Sequence, residues 1–320
     1  MTAARIALTV AALALAGLAI GIAFSYDRDL RRERERVVSG SRAVQTSCGQ
    51  IEYAAAGEGQ PLLVVHGAGG GWDQGMLFAK AFVERGFRVI APSRFGYLRT
   101  PLPRDASPPA QADAYVCLLD ALGIGKAVIV GASAGAPSTM QFALRHPDRC
   151  SAMVLLVPVA WAPGRPEGAP EAAAIPVFFE ASLRSDFLFW LAVRMESTAM
   201  MAAAFATPPA VLQAASADER ARVREMFGDV LPVSERREGL LNDARVLASL
   251  QRYDLEKIAV PTLAISVADD GFGTYAPARY TAAHIPGARF VGYPSGGHVW
   301  VGHHGEIVSE IAAFARQHAK

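Results

Sequence analysis

The chain has 320 residues, 52% of them hydrophobic and 19% charged, with a formal net charge of +1. This is enough apolar material for one large core with room for an insert, and the near-zero charge offers no electrostatic footprint for nucleic acid. Three cysteines (Cys48, Cys117 and Cys150) lie far apart without CxxC spacing, so neither a disulfide framework nor a zinc site is expected.

Residues 6–26, IALTVAALALAGLAIGIAFSY, carry no charge. As a helix they extend about 31 Å, enough to cross a hydrocarbon core. The run is longer than a signal-peptide core of about 7–15 residues, and its best small-x-small site, Ala23-Phe24-Ser25, is poor. The expectation is a retained single-pass anchor over residues 1–26. The alternative is a secreted or periplasmic protein after signal cleavage. Arg5 is the lone basic residue before the run, whereas Arg28, Arg31, Arg32, Arg34 and Arg36 follow it. That bias places the following domain in the cytoplasm. Residues 27–44 mix these arginines with Asp27, Asp29, Glu33 and Glu35 and read as a charged, solvated juxtamembrane linker.

From about residue 45, short apolar runs alternate with helical patterns. Strands are predicted at 62–65, 88–91, 127–130, 153–157, 262–267 and 289–292. Helices are predicted at 76–83, 111–122, 137–145 and 306–317. Cys117 falls in a helical stretch, AYVCLLDALGI, and reads as a small buried hydrophobe. The alternation predicts an α/β fold, a mostly parallel sheet with helices on both faces. Residues 161–258 break the rhythm. They open with WAPGRPEGAPEAAAIP and continue in helix-like pieces, FFEASLRSDFLFWLAVRM and DERARVREMF. They read as a helical cap inserted between a first core part (45–160) and a second (259–320). An insert that leaves the sheet at a strand's C-terminal end lies over the edge where such sheets bind ligands.

The chemistry concentrates at that edge. The stretch VIVGASAGAPSTM is strand, G-x-S-x-G, then helix. That is the strained turn that projects a nucleophile, here Ser133. Its hydroxyl needs a base. His298 follows the last strand in the Gly-rich loop YPSGGHVWVGHHGEI, with His303 and His304 as alternatives a turn further on. The imidazole needs an acid. ADD after the fifth strand supplies Asp270, with Asp269 as the alternative. The oxyanion needs two N–H donors. Ala134 directly follows the nucleophile, and the turn VVHGAGGGWDQG offers Ala68, or Gly69 beside it. The same glycine run lacks the Gly-Lys-Ser/Thr ending of a phosphate loop, and HVWVGHH lacks metal-ligand spacing, so no cofactor and no metal are expected.

With HGAGGG, GASAG, ADD and GGH in this order, the chain resembles the α/β-hydrolase superfamily over roughly 45–160 and 260–320. A cap inserted before the acid-bearing strand is typical of that family. The block APSRFGYLRTP resembles its D-R-x-G-x-G-x-S turn, with Ser93 in place of Asp and Leu98 in place of the second Gly. A serine nucleophile implies acyl chemistry. The expectation is a membrane-anchored serine hydrolase of carboxylic esters acting on a small apolar acyl substrate. A C–C bond hydrolase or acyltransferase with the same triad is the alternative, and a non-catalytic binding protein on the same fold is an alternative of another class. Cap residues Phe178, Phe179, Phe187, Phe189, Trp190, Met200 and Met201 fit either an apolar pocket or simply the cap's own core.

Overall fold

The computed structural model describes residues 2–164, 183–195 and 197–318. A long helix, α1 (Ala3–Ser39), leads into an antiparallel hairpin, β1 (Arg42–Thr46) and β2 (Gly49–Ala56). Then come β3 (Gln60–Val65), α2 (Trp72–Val83), β4 (Phe87–Pro92), α3 (Pro108–Ala121), β5 (Ala127–Ala132), α4 (Ala136–Arg145) and β6 (Cys150–Leu156). Helices α5 (Asp186–Arg194), α6 (Thr198–Ala204), α7 (Pro209–Ala214), α8 (Ala217–Gly228) and α9 (Arg237–Ala248) follow. The chain closes with β7 (Thr262–Val267), α10 (Tyr275–His284), β8 (Arg289–Tyr293) and α11 (His304–Gln317).

The eight strands form one sheet in the order β1-β2-β4-β3-β5-β6-β7-β8, parallel from β4 through β8. The central strands are apolar on both faces because both are covered. Ile129, Met153 and Leu155 pack under α3, α4 and α10, whereas Val128, Val154 and Ile265 pack under α2 and α11. The predicted strands and helices of the core fall within these elements. Three elements escape the sequence reading: the β1–β2 hairpin, whose alternation is blurred by small residues, and α10. Among the described residues, the stretch between β6 and β7 contains helices and no strand. Phe178, Phe179 and the beginning of the FFEASLRSDFLFWLAVRM segment lie outside the described residues.

Two expectations are corrected. Cys48 and Cys117 form a disulfide, with Cα atoms 6.0 Å apart and a sequence separation of 69. The β1–β2 turn folds over α3, a long-range proximity that local cysteine spacing does not encode. Cys117 is therefore half of a cross-link rather than a packed hydrophobe, and Cys150 is the free, buried cysteine. Residues 27–44 are not a solvated linker either. Helix α1 runs unbroken through Ser39, and it buries Leu30 and Val37 against the domain, worth about 1.5–3 kcal/mol each. Tyr26 packs edge-on against Phe187 and Trp190 of α5. Asp29 accepts from Trp190 Nε1 at 3.0 Å and from Arg194 at 2.6 Å. Trp72 Nε1 donates to the Val37 carbonyl at 3.1 Å. The apolar first part of α1 is exposed throughout and is long and apolar enough to cross a membrane.

Candidate active site

The strand-to-helix turn after β5 holds Ser133 at φ 48°, a left-handed conformation that costs a non-glycine residue about 1–3 kcal/mol. Its neighbours must be glycine. A Cβ on Gly131 would lie 2.2 Å from Thr139 Oγ1, and one on Gly135 would lie 2.6 Å from the His66 carbonyl. Pro137 sits in the first turn of α4, where its missing N–H is harmless.

His298, Asp270 and Ser133 come together from three strand ends. His298 Nε2 lies 2.9 Å from Ser133 Oγ, and Nδ1 lies 2.8 Å from Asp270 Oδ2. Phe272 packs edge-on against the imidazole at 4.7 Å. Asp270 also accepts the Phe272 N–H at 2.8 Å and the Thr274 hydroxyl. Burial pushes its carboxyl up, but the charge and hydrogen bond of His298, with those of Thr274 and Phe272, outweigh burial and leave it below the usual carboxylate range.

The alternative residues sit elsewhere. Asp269 accepts the Gly297 N–H at 2.7 Å and so tethers the loop that carries His298. His303 faces Glu306 at 3.4 Å. His304 accepts from Trp300 Nε1 at 3.3 Å, and burial, then the Arg222 cation, push its pKa down to about 4.

Across from Ser133 lies the loop after β3. The Gly67 N–H is taken by Gln74 Oε1 at 2.9 Å, Gly69 by the Tyr97 hydroxyl at 3.2 Å, and Gly70 by the Gly67 carbonyl at 3.4 Å. Among the described residues that leaves the Ala68 and Gly71 N–H groups without a partner, and of these two Ala68 lines the cavity beside Ser133. Ala134 follows the nucleophile at the head of the turn into α4. His66 is no base. Burial, then the Arg94 cation, hold its pKa well down, and its ring bridges the Gly67 carbonyl and the Arg94 N–H at 2.7 and 2.9 Å.

The cavity over Ser133 is about 220 Å³, walled by Phe78 of the core and by Phe189, Phe205, Met226, Phe227 and Val230 from beyond β6. Its described lining includes no Arg, Lys, Asp or Glu. Phe187 and Trp190 instead face Tyr26.

Sequence reasoning missed the groups that hold the oxyanion loop. Arg94 pairs with Asp243 of α9 at 2.6 and 2.7 Å and donates to the Gly67 carbonyl at 3.1 Å. Tyr97 donates to Asp243 at 2.5 Å. Arg236, fully buried, pairs with Asp73 at 2.6 Å. Nothing local marks these partners, because each lies some 150 residues from the other in sequence. The departure at Ser93 also has a physical answer. Its hydroxyl donates to buried Glu52 of β2 at 2.9 Å, and Arg99 pairs with the same carboxylate at 2.7 Å. The acid therefore comes from the neighbouring strand. Leu98 keeps the left-handed backbone of the glycine it replaces, at φ 51°.

A family model described as alpha/beta hydrolase fold matches residues 60–301. An uncharacterized hydrolase, YcgS of Bacillus subtilis, is 28% identical over 79% of this chain and 90% of its own length. A 2-hydroxy-6-oxo-6-phenylhexa-2,4-dienoate hydrolase of Comamonas testosteroni is 34% identical, over 34% of this chain and 40% of its own. Among solved structures, an alpha/beta hydrolase fold protein from Nakamurella multipartita superposes with a TM-score of 0.70 at 30% identity, covering 86% of this chain and 99% of that one.

Proposed function

Because the chain belongs to the α/β hydrolase fold family, we propose that this hydrolase is a serine esterase, cleaving carboxylic esters with apolar acyl groups. The observation that carries the reading is the unbroken contact from Ser133 Oγ through His298 to Asp270. In this reading His298 accepts the Ser133 proton at Nε2 as Oγ attacks the acyl carbon. Asp270 fixes the tautomer with Nδ1–H inward and stabilises the imidazolium. The Ala68 and Ala134 N–H groups receive the oxyanion, where one preorganised donor is worth about 2.7–4 kcal/mol. His298 then passes its proton to the leaving alcohol. Water, deprotonated by the same imidazole, releases the acid.

The alternative is C–C bond hydrolysis, which the Comamonas relative's name describes. A dienoate carries a carboxylate, and a buried carboxylate needs a cationic partner. The described wall of this cavity has none, which favours a neutral ester. The reading is tested with a fluorophosphonate probe and a series of p-nitrophenyl esters. Wild type is labelled and turns over medium-chain esters, and Ser133→Ala does neither. A folded wild type that resists both a large and a small phosphonate would overturn it.

We place the catalytic domain outside the cytoplasm, reversing the reading from the arginine bias. The Cys48–Cys117 bond supports an oxidising compartment. Two of the arginines after the span, Arg34 and Arg36, pair with acids outside α1. Maleimide capture of both thiols from unreduced cells would refute this placement.

A further inference from the structure

The first turns of α2 hold a buried carboxylate that touches three parts of the molecule. Asp73, 4% exposed, takes Arg236 Nη2 at 2.6 Å and Nη1 at 3.2 Å, and Arg36 Nη1 of α1 at 2.9 Å. Arg36 Nη1 also lies 3.3 Å from Asp229, after α8, and Nη2 donates to the Leu231 carbonyl at 3.3 Å. A residue of the juxtamembrane helix is thus shared between two carboxylates of the folded domain.

From Asp73 two short paths lead to the oxyanion loop. Arg236, held by Asp73, donates through Nη1 to the Gly70 carbonyl at 2.6 Å. Asp73 Oδ1 accepts the Gln74 N–H at 3.0 Å, and the Gln74 side chain accepts the Gly67 N–H at 2.9 Å. Gly67 and Gly70 bracket Ala68. Two of the bonds that fix the bracket thus trace back to one carboxylate, beside that of Arg94 to the Gly67 carbonyl, and that carboxylate is balanced by Arg36 as well as Arg236. At a pH that ionises Asp229, loss of Arg36 removes its ion pair and leaves Asp73 and Asp229 to repel one another in a low-dielectric setting.

We propose that Arg36 is a positioning residue of the active site: seated between Asp73 and Asp229, it couples the juxtamembrane half of α1 to the orientation of the Ala68 N–H. The proposal rests on the serine-esterase reading. The oxyanion amide matters more in the transition state than in the bound ester, so its misplacement acts on kcat and leaves KM.

The test uses full-length protein in detergent micelles with a soluble p-nitrophenyl ester, and kcat is normalised to fluorophosphonate-titrated sites. Arg36→Ala lowers kcat about tenfold, less than the loss of a whole donor, with KM within twofold. Arg36→Lys retains most of the rate. Arg36→Ala combined with Asp229→Asn recovers much of the loss, because Arg236 then balances Asp73 alone. Hydrogen exchange over residues 67–71 gives a readout free of chemistry, and it accelerates in Arg36→Ala and reverts in the double variant. Unchanged kcat per titrated site overturns the proposal, as does unchanged exchange in that loop. A loss that the double variant fails to rescue also overturns it, since that would mark a generally weakened fold. Should Arg36→Ala fail to fold, Arg36→Gln carries the same comparison. A wild type that neither labels nor turns over esters defeats the esterase reading, while the exchange experiment still decides the coupling.

Discussion

The two sides of the active site are built differently. The side that carries Ser133, Asp270 and His298 is local. Each residue follows its own strand end, and the strain at Ser133 is supplied by the turn in which it sits. The oxyanion side is borrowed. The His66–Gly71 loop is held by Arg94 with Asp243, by Tyr97, and by Arg236 with Asp73, so two of its supports come from the segment around α9. Five consecutive residues can thus set a strained serine, while distant segments hold the loop opposite it.

Variants can break this contrast or sharpen it. The largest effects belong to the local side: Ser133→Ala or His298→Ala should lower kcat by about 10⁶, since such groups act as a unit. Steady-state kinetics with a chromogenic ester checks this, and residual rates within a hundredfold of wild type would move the nucleophile elsewhere. Next comes Asp270→Asn, with a loss of about 10⁴ through the wrong imidazole tautomer. Asp269→Asn should cost far less, because it loses only a tether to Gly297. Equal losses would erase the distinction between the two acids.

On the borrowed side the first effect is on stability. Arg236→Met takes one of two cations from buried Asp73, leaving Arg36, and should cost up to about 3–5 kcal/mol, read by urea unfolding. A neutral result would mean that water reaches Asp73.

The smallest effect is in pH dependence. Burial, then repulsion from Asp73, push Asp229 up to about 7 against the pull of Arg36 and Arg236. A carboxyl with a raised native pKa contributes stability below its unfolded pKa and loses it as pH rises toward 7. The stability gained by Asp229→Asn should therefore be smaller at pH 5 than at pH 8, where it reaches a few kcal/mol at most. A benefit of the same size at both pH values would contradict the shift.

Most of the core was legible because its signals are local. Apolar runs such as 262–267 are buried on both faces and read as strands, and G-x-S-x-G between a strand and a helix places Ser133 without any tertiary information. Order along the chain pointed to His298 and Asp270, and the structure brings both beside Ser133. What stayed hidden depends on pairs of distant residues: the Cys48–Cys117 bond, the Glu52 carboxylate beneath Ser93, and the arginines that brace the oxyanion loop. Residues 27–39 misled for the same reason. Their alternating charges look solvated until the partners, Asp73, Asp186 and Asp229, fold against them.

Helix α1 has no break between its apolar stretch and its docked stretch. Were the apolar stretch of α1 to span a bilayer, the domain would stand on a stiff mast rather than a tether. A helix responds to a thicker or thinner membrane by changing its tilt. A domain fixed along that helix would lean with it, so the height and heading of the cavity mouth above the lipid surface would follow the tilt.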